Sequence, residues 1–334
     1  MKKIDFVLLW VDDSDPKWKA ERNAHQGKKV DESENNVRFR DWDNLKYWFR
    51  GVETFAPWIN NIYFITYGHL PKWLNINHPK LKIIKHEDYI PKQYLPTFNS
   101  NVIELNLNRI EDLSENFVLF NDDMFIIDDV QPTLFFENGL PKYECVEEII
   151  TGSGGKDKFA HTLINNMDII NRNFSKKETR KNNFKKHINI KYGLKKNVKT
   201  LLLWKWEKFC GFYNFHLPMP HLKSTFNEVW SIEKDCLDEV CFNKFRKEND
   251  ISHWTFQYWN FCKNKFIPCN LEKEGKYFDV NDTNALDISK EIKNQNKKII
   301  CINDSKDITD FDRIKTLING SFEEVLPNKS KFEL

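Results

Sequence analysis

The chain has 334 residues, enough to bury one large core or two closely joined lobes. Its composition, 40% hydrophobic and 30% charged, is that of a globular protein, and 51 basic against 49 acidic residues exclude a global field drawing it to nucleic acid. The early apolar stretch Phe6 to Val11, bounded by Asp5 and Asp12, is too short for a signal peptide or a spanning helix of about 20 residues, so a cytoplasmic location is expected.

In chain order, Ile4 to Val11 reads as a strand that stops at the acidic turn Asp12-Asp13-Ser14-Asp15-Pro16. Asp41 is positioned to cap a helix carrying Leu45, Trp48, Val52 and Phe55 on one face, ended by Pro57. Ile62 to Thr66 and Leu81 to Ile84 are strand candidates, a helix starts near Asn101, and Phe117 to Phe120 is a buried strand running into Asn121-Asp122-Asp123. Strands separated by helices predict an α/β fold with a mainly parallel sheet and ligands at the carboxyl ends of its strands. Asp12/Asp15 and Asp122/Asp123 both fall at that edge. We read residues 1–140 as this α/β half and 141–334 as a more helical half that completes the same catalytic unit.

Adjacent carboxylates at a strand end suit a divalent cation, Mg²⁺ or Mn²⁺, shared with a diphosphate; the bland alternative is a solvated strand terminus. Glu104 has two readings as well, a functional carboxylate or the partner of Asn101 in a helix capping box. The seven cysteines are odd in number and form no Cys-x-x-Cys, and the spacing of Cys236, Cys241, His253 and Cys262 fits no common zinc pattern, so buried free thiols are expected.

The second half opens with a flexible break, Thr151 to Gly155, and a helix around Phe159 to Ile170. From Arg172 to Lys208 there are 13 Lys or Arg and two acids, Glu178 and Glu207, a run that serves either as a solvated face or as a contact for an anionic membrane or glycan. Gly211 to Lys223 reads as a loop stiffened by Pro218 and Pro220 and carrying His216, His221 and Lys223. A histidine held on such a loop suits general-base chemistry.

These residues together resemble the Stealth family of sugar-phosphate transferases, which includes bacterial capsule polymerases and the enzyme that adds N-acetylglucosamine 1-phosphate to lysosomal glycoproteins. The first block is Ile4 to Trp18. The second runs from Arg38-Phe39-Arg40-Asp41 through Ala56 to Ile62, Leu95 to Ser100, Ile103-Glu104 and Asn108 to Ile110, ending at Phe120 to Phe125. The third resembles Lys191 to Leu194 and Gly211 to Pro218; the fourth, shorter, lies around Phe242 to Tyr258.

The resemblance implies a GT-A-like core, a UDP-sugar donor and a polysaccharide or lipid-linked glycan acceptor; the basic run adds an expected peripheral contact with the inner membrane surface of a bacterium. It implies that Asp122 and Asp123 bind the metal, that His216, Glu104, Asp123 and Arg246 are catalytic, and that Trp10, Asp12, Arg38, Asp41 and Lys223 frame the substrates. His221 and His161 are secondary candidates. Two other readings use the same residues: a GT-A glycosyltransferase that expels UDP, and a carbohydrate-binding protein that uses its 11 Trp and 10 Tyr for stacking.

Overall fold

The computed structural model describes residues 2–12, 14–26, 40–152 and 157–334. Arg38, Asp13 and most of the Thr151–Gly155 break fall outside them. The strands are β1 (Ile4–Leu9), β2 (Ile62–Thr66), β3 (Leu81–Lys85), β4 (Asn116–Phe120), β5 (Met124–Ile126), β6 (Phe136–Glu137), β7 (Leu140–Tyr143), β8 (Met219–Leu222), β9 (Ile267–Pro268), β10 (Gly275–Asp279) and β11 (Ile299–Asn303).

The main sheet has the order β3-β2-β1-β4-β8, its first four strands parallel and β8 antiparallel. Because side chains alternate along a strand, this sheet feeds two cores. Phe6, Leu8, Phe64, Val118 and Phe120 face one cluster with Trp48, Phe49 and Val52 of helix Leu45–Phe55. Val7, Tyr63, Ile65, Phe117 and Leu119 face the other, built with Phe226, Phe256 and Trp259 from later helices. The inner strands β1, β2 and β4 are largely apolar because both faces are covered, whereas the edge strand β3 keeps Lys82 and Lys85.

The parallel pairing of β1 with β4 places the acidic turn after β1 beside Asn121-Asp122-Asp123. A second sheet, β10-β11-β5, closes over that edge: β5 pairs antiparallel with β11, setting Met124 opposite Cys301. The region beyond residue 140 is dominated by helices, including Lys158–Asn173, Lys176–His187, Gly193–Leu202, Lys223–Ile232 and Trp254–Cys262. Among the described residues no helix is long and apolar enough to cross a membrane. All seven cysteines are free thiols.

Two expectations change. Helix Leu45–Phe55 is preceded by Asn44 as its cap residue, and the Asp41 carboxylate instead accepts from Asp43 N at 2.7 Å. The proline-stiffened loop is in part strand β8, an edge strand that Pro218 precedes and where Pro220 costs little because one row of backbone groups needs no partner.

One glycine governs how the helix meets the site. A Cβ on Gly51 would lie 2.3 Å from the carbonyl oxygen of Ile126, so helix Leu45–Phe55 rests directly on the strand that follows Asp123. Gly51→Ala should therefore lower stability by about 1–3 kcal/mol through overpacking, despite a helix-propensity gain of about 1 kcal/mol. Thermal or denaturant unfolding reads this directly, and an unchanged or raised stability would contradict the close approach.

Candidate active site

The carboxyl end of β4 is held by short-range backbone bonds. Met124 N donates to Asn121 O at 3.2 Å, closing the turn, and Ile302 N donates to Asp123 O at 2.8 Å, tying it to β11. Asp122 is exposed to solvent yet has protein packed around it. That crowding, followed by the charges of Asp123 and Asp41, pushes its pKa up to about 7. Asp41 is thus brought to the pair; the two-pronged bond of the preceding Arg40 to Asp304, at 2.9 and 2.8 Å, anchors its segment beside the end of β11.

Asp123 is the hub. Its Oδ2 lies 3.5 Å from His216 Nε2, with the two side chains 21% and 33% exposed, so both still face the cleft. Its Oδ1 is buried and meets no hydrogen-bond donor among the described residues. Carboxylate, imidazole and the Cys301 sulfur lie within 4.8 Å of one another. Burial, then the Asp123 charge, raises the Cys301 thiol well above its ordinary value, and soft sulfur is a poor match for a hard cation. That leaves the Asp123 carboxylate, one oxygen unpartnered among the described residues, beside the His216 imidazole and with Asp122 adjacent in sequence; such hard oxygens fit Mg²⁺ or Mn²⁺.

Burial alone would lower the His216 pKa; the adjacent Asp123 carboxylate, with Glu104 and Asp279 behind it, outweighs burial and raises it. The imidazole also meets the Tyr277 ring edge-on at 5.6 Å, and the Tyr277 hydroxyl donates to Asp279. Tyr277 and Asp279 come from β10, more than 60 residues beyond His216.

Glu104 is buried in helix Ser100–Leu105. The cap of that helix is Asn99, whose side chain accepts from Asn101 N at 3.1 Å, so the capping-box reading of Glu104 does not hold. Instead Glu104 Oε2 lies 2.6 Å from His253 Nδ1, a partner that sequence reasoning considered only as a zinc ligand. Arg246 is exposed and donates to Ser100 Oγ at 2.6 Å, at the start of the same helix. Its loop is locked there by buried Asp250, which accepts from the side chains of Asn99 at 2.9 Å and Asn243 at 2.8 Å.

On the β1 side, the Trp10 ring stacks on Phe64 at 5.5 Å and meets His69 edge-on at 5.3 Å. Asp12 donates its backbone N–H to His69 Nε2 at 2.7 Å and accepts from Ser14 N at 2.8 Å.

Three expected residues stand apart. Lys223 follows β8 at the opposite end of β4, roughly 13 Å along the strand from Met219 at about 3.3 Å per residue. Its Nζ is spent on the carbonyls of Ile110 and Glu111, at 2.6 and 2.9 Å. His221, on β8 opposite Phe117, is buried among Phe117, Phe226 and His253 with both ring nitrogens unpartnered among the described residues, and burial drives its pKa well below the ordinary value. It is a neutral core residue because the antiparallel register turns it inward. His161 is exposed on helix Lys158–Asn173 and makes no side-chain contact among the described residues.

Comparison with known proteins decides the family. Residues 2–29 match Stealth conserved region 1 and residues 38–143 match Stealth conserved region 2. The chain is 47% identical to a capsular polysaccharide phosphotransferase, WcwK, of Streptococcus pneumoniae, over 100% of this chain and 98% of the relative. It is 41% identical to the receptor polysaccharide phosphotransferase WefC of Streptococcus oralis over the full length of both. A Lactiplantibacillus plantarum exopolysaccharide phosphotransferase, cps2G, is 38% identical over 99% of this chain and 96% of its own. The chain belongs to the Stealth family. It is a transferase enzyme, a phosphotransferase. Within this Stealth chain, Trp10, Asp12, Asp41, Glu104, Asp122 and Asp123 fall in the matched regions, whereas His216, His253 and Arg246 lie beyond them and are placed by geometry.

The geometry ranks three histidines. His216→Ala should lower kcat by about 10²–10⁴-fold, the usual worth of a general base. His253→Ala should cost less, and His221→Ala should leave kcat near wild type while lowering the melting temperature. Steady-state kinetics and melting curves test the order; a silent His216→Ala with a large kcat loss at His221 would reverse it.

Proposed function

We propose that this enzyme transfers a sugar 1-phosphate, a hexose or N-acetylhexosamine 1-phosphate, from a UDP-sugar to a hydroxyl of a capsular or other cell-surface polysaccharide, with release of UMP. The observation that carries the reading is the cleft floor itself: crowded carboxylates, one buried oxygen without a donor, and a solvent-facing imidazole 3.5 Å away. Such a floor needs positive charge, which a divalent cation held between Asp122, Asp123 and a diphosphate would supply while neutralising the donor phosphates.

The chain's own residues have separable tasks. The acceptor hydroxyl attacks the phosphorus that bears the sugar; its oxygen–phosphorus bond forms as the pyrophosphate bond breaks, and UMP departs. His216 takes the hydroxyl proton on the ring nitrogen turned away from Asp123. Asp123 orients that imidazole, and Tyr277 packed against it limits its rotation. Glu104, paired with His253, fixes negative charge behind His216 and favours its protonated form as the bond is made. Arg246 presents a planar cation at the Ser100 end of the same helix, suited to grip phosphate oxygens once its contact with Ser100 opens. Trp10 and Asp12 at the end of β1, with Asp41, border the donor side.

Relatives at 38–47% identity are named polysaccharide phosphotransferases, which favours this reading over a glycosyltransferase built on the same carboxylates. A carbohydrate-binding protein would have no use for the unsatisfied carboxylate. Chromatography of the nucleotide product separates the enzymatic alternatives. With donor and acceptor supplied, UMP should accumulate and UDP should not; chelation or Asp123→Asn should abolish the release. UDP as the product, or full turnover in chelator, would overturn the proposal.

A further inference from the structure

Amphipathic helices of globular proteins turn their apolar stripe to the core. Helix Gly193–Leu202 does the reverse. Leu194, Val198, Leu201 and Leu202, at i, i+4, i+7 and i+8, share one face and point to solvent, Leu194 being 82% and Leu202 74% exposed. The stripe continues at both ends, with Ile190 93% exposed in the preceding turn and Trp206 59% exposed just beyond. The inward face is polar: Lys196 binds Glu144 at 2.6 Å and Glu272 at 2.9 Å, Lys199 binds Glu148 at 2.5 Å, and buried Thr200 accepts from Glu147 N at 3.1 Å. These pairs fix the helix with its apolar side outward. The turn before it is braced by Asn197, bonded to Asn189 O at 2.8 Å.

The neighbouring helix Lys176–His187 extends this surface. Its exposed Phe184 meets Trp204 edge-on at 5.5 Å, joining the two elements. Around them Lys177, Lys181, Lys185, Lys195 and Lys205 are exposed and pair with no acid among the described residues. Aliphatic side chains projecting together, a tryptophan at one end and a fringe of unpaired lysines match an anionic lipid bilayer: the stripe enters the acyl boundary while the ammonium groups stay among headgroup phosphates. A second copy of the chain fits worse, because a two-fold interface would set lysine fringe against lysine fringe. A soluble anionic glycan would match the lysines and leave the stripe in water.

We infer that helix Gly193–Leu202, with the lysines of Lys176–His187, is a docking surface for anionic membrane. It involves none of the cleft residues, so its failure and that of the phosphotransfer reading are distinguishable. The experiment is cosedimentation of the full chain with phosphatidylglycerol-containing vesicles and with pure phosphatidylcholine vesicles. Binding should appear on the anionic vesicles only and fall steeply as sodium chloride rises from about 0.05 to about 0.5 M. L194E/L202E, on solvent-exposed positions, should weaken binding at least about tenfold with an unchanged melting temperature, and K181E/K185E should weaken it and flatten the salt dependence. The inference falls if the wild-type chain does not sediment with anionic vesicles at low salt. It falls equally if L194E/L202E binds them as wild type does, or if sedimentation velocity shows a dimer that this variant dissolves.

Discussion

Asp122 and Asp123 stand side by side where β4 ends, Asp41 adds its charge nearby, and one oxygen of Asp123 is buried without a donor. Like charges concentrated in a crowded cleft are costly unless a counter-charge arrives. Much of the architecture holds this arrangement in place. The parallel pairing of β1 and β4 aligns the two acidic turns, β11 grips Asp123 through its backbone, and Arg40 binds Asp304 to fix the segment that carries Asp41. Gly51 lets a helix rest on the strand just beyond. A ligand that brings positive charge to a site built this way would relieve repulsion already present.

The same carboxylate couples the two halves of the chemistry. Asp123 faces the cation-seeking side with Oδ1 and His216 with Oδ2. Its charge raises the pKa of the imidazole against the effect of burial, so whatever counters that charge also acts on His216.

What was legible in the sequence follows from locality. β1, β2 and β4 declare themselves as short apolar runs ending in polar turns, and Ile62–Thr66 is recovered to the residue. Asp122 and Asp123 are readable because strand and acidic turn are contiguous. His221 and Lys223 mislead for a common reason: β8 pairs antiparallel with β4, so each residue past His216 moves further from the carboxyl edge, and alternation turns His221 into the core. Tyr277, Asp279 and the pairing of Glu104 with His253 carry no local signal, since they meet the site only through tertiary contacts across 61 to 149 residues. The outward stripe of helix Gly193–Leu202 was equally hidden. Its period is visible in sequence, yet only the ion pairs Lys196–Glu144 and Lys199–Glu148 reveal which side faces water.

The central claim is that nucleophilic attack occurs at phosphorus and leaves the sugar–oxygen bond whole. Isotopic labelling tests it at the bond in question. A UDP-sugar carrying ¹⁸O between the anomeric carbon and phosphorus is turned over with acceptor, and glycan and nucleotide are weighed separately by mass spectrometry. The account predicts that all of the label stays with the glycan, within its new phosphodiester, and none appears in the nucleotide. Label recovered in the nucleotide, with a glycan free of phosphorus, would mean attack at the anomeric carbon and would contradict it.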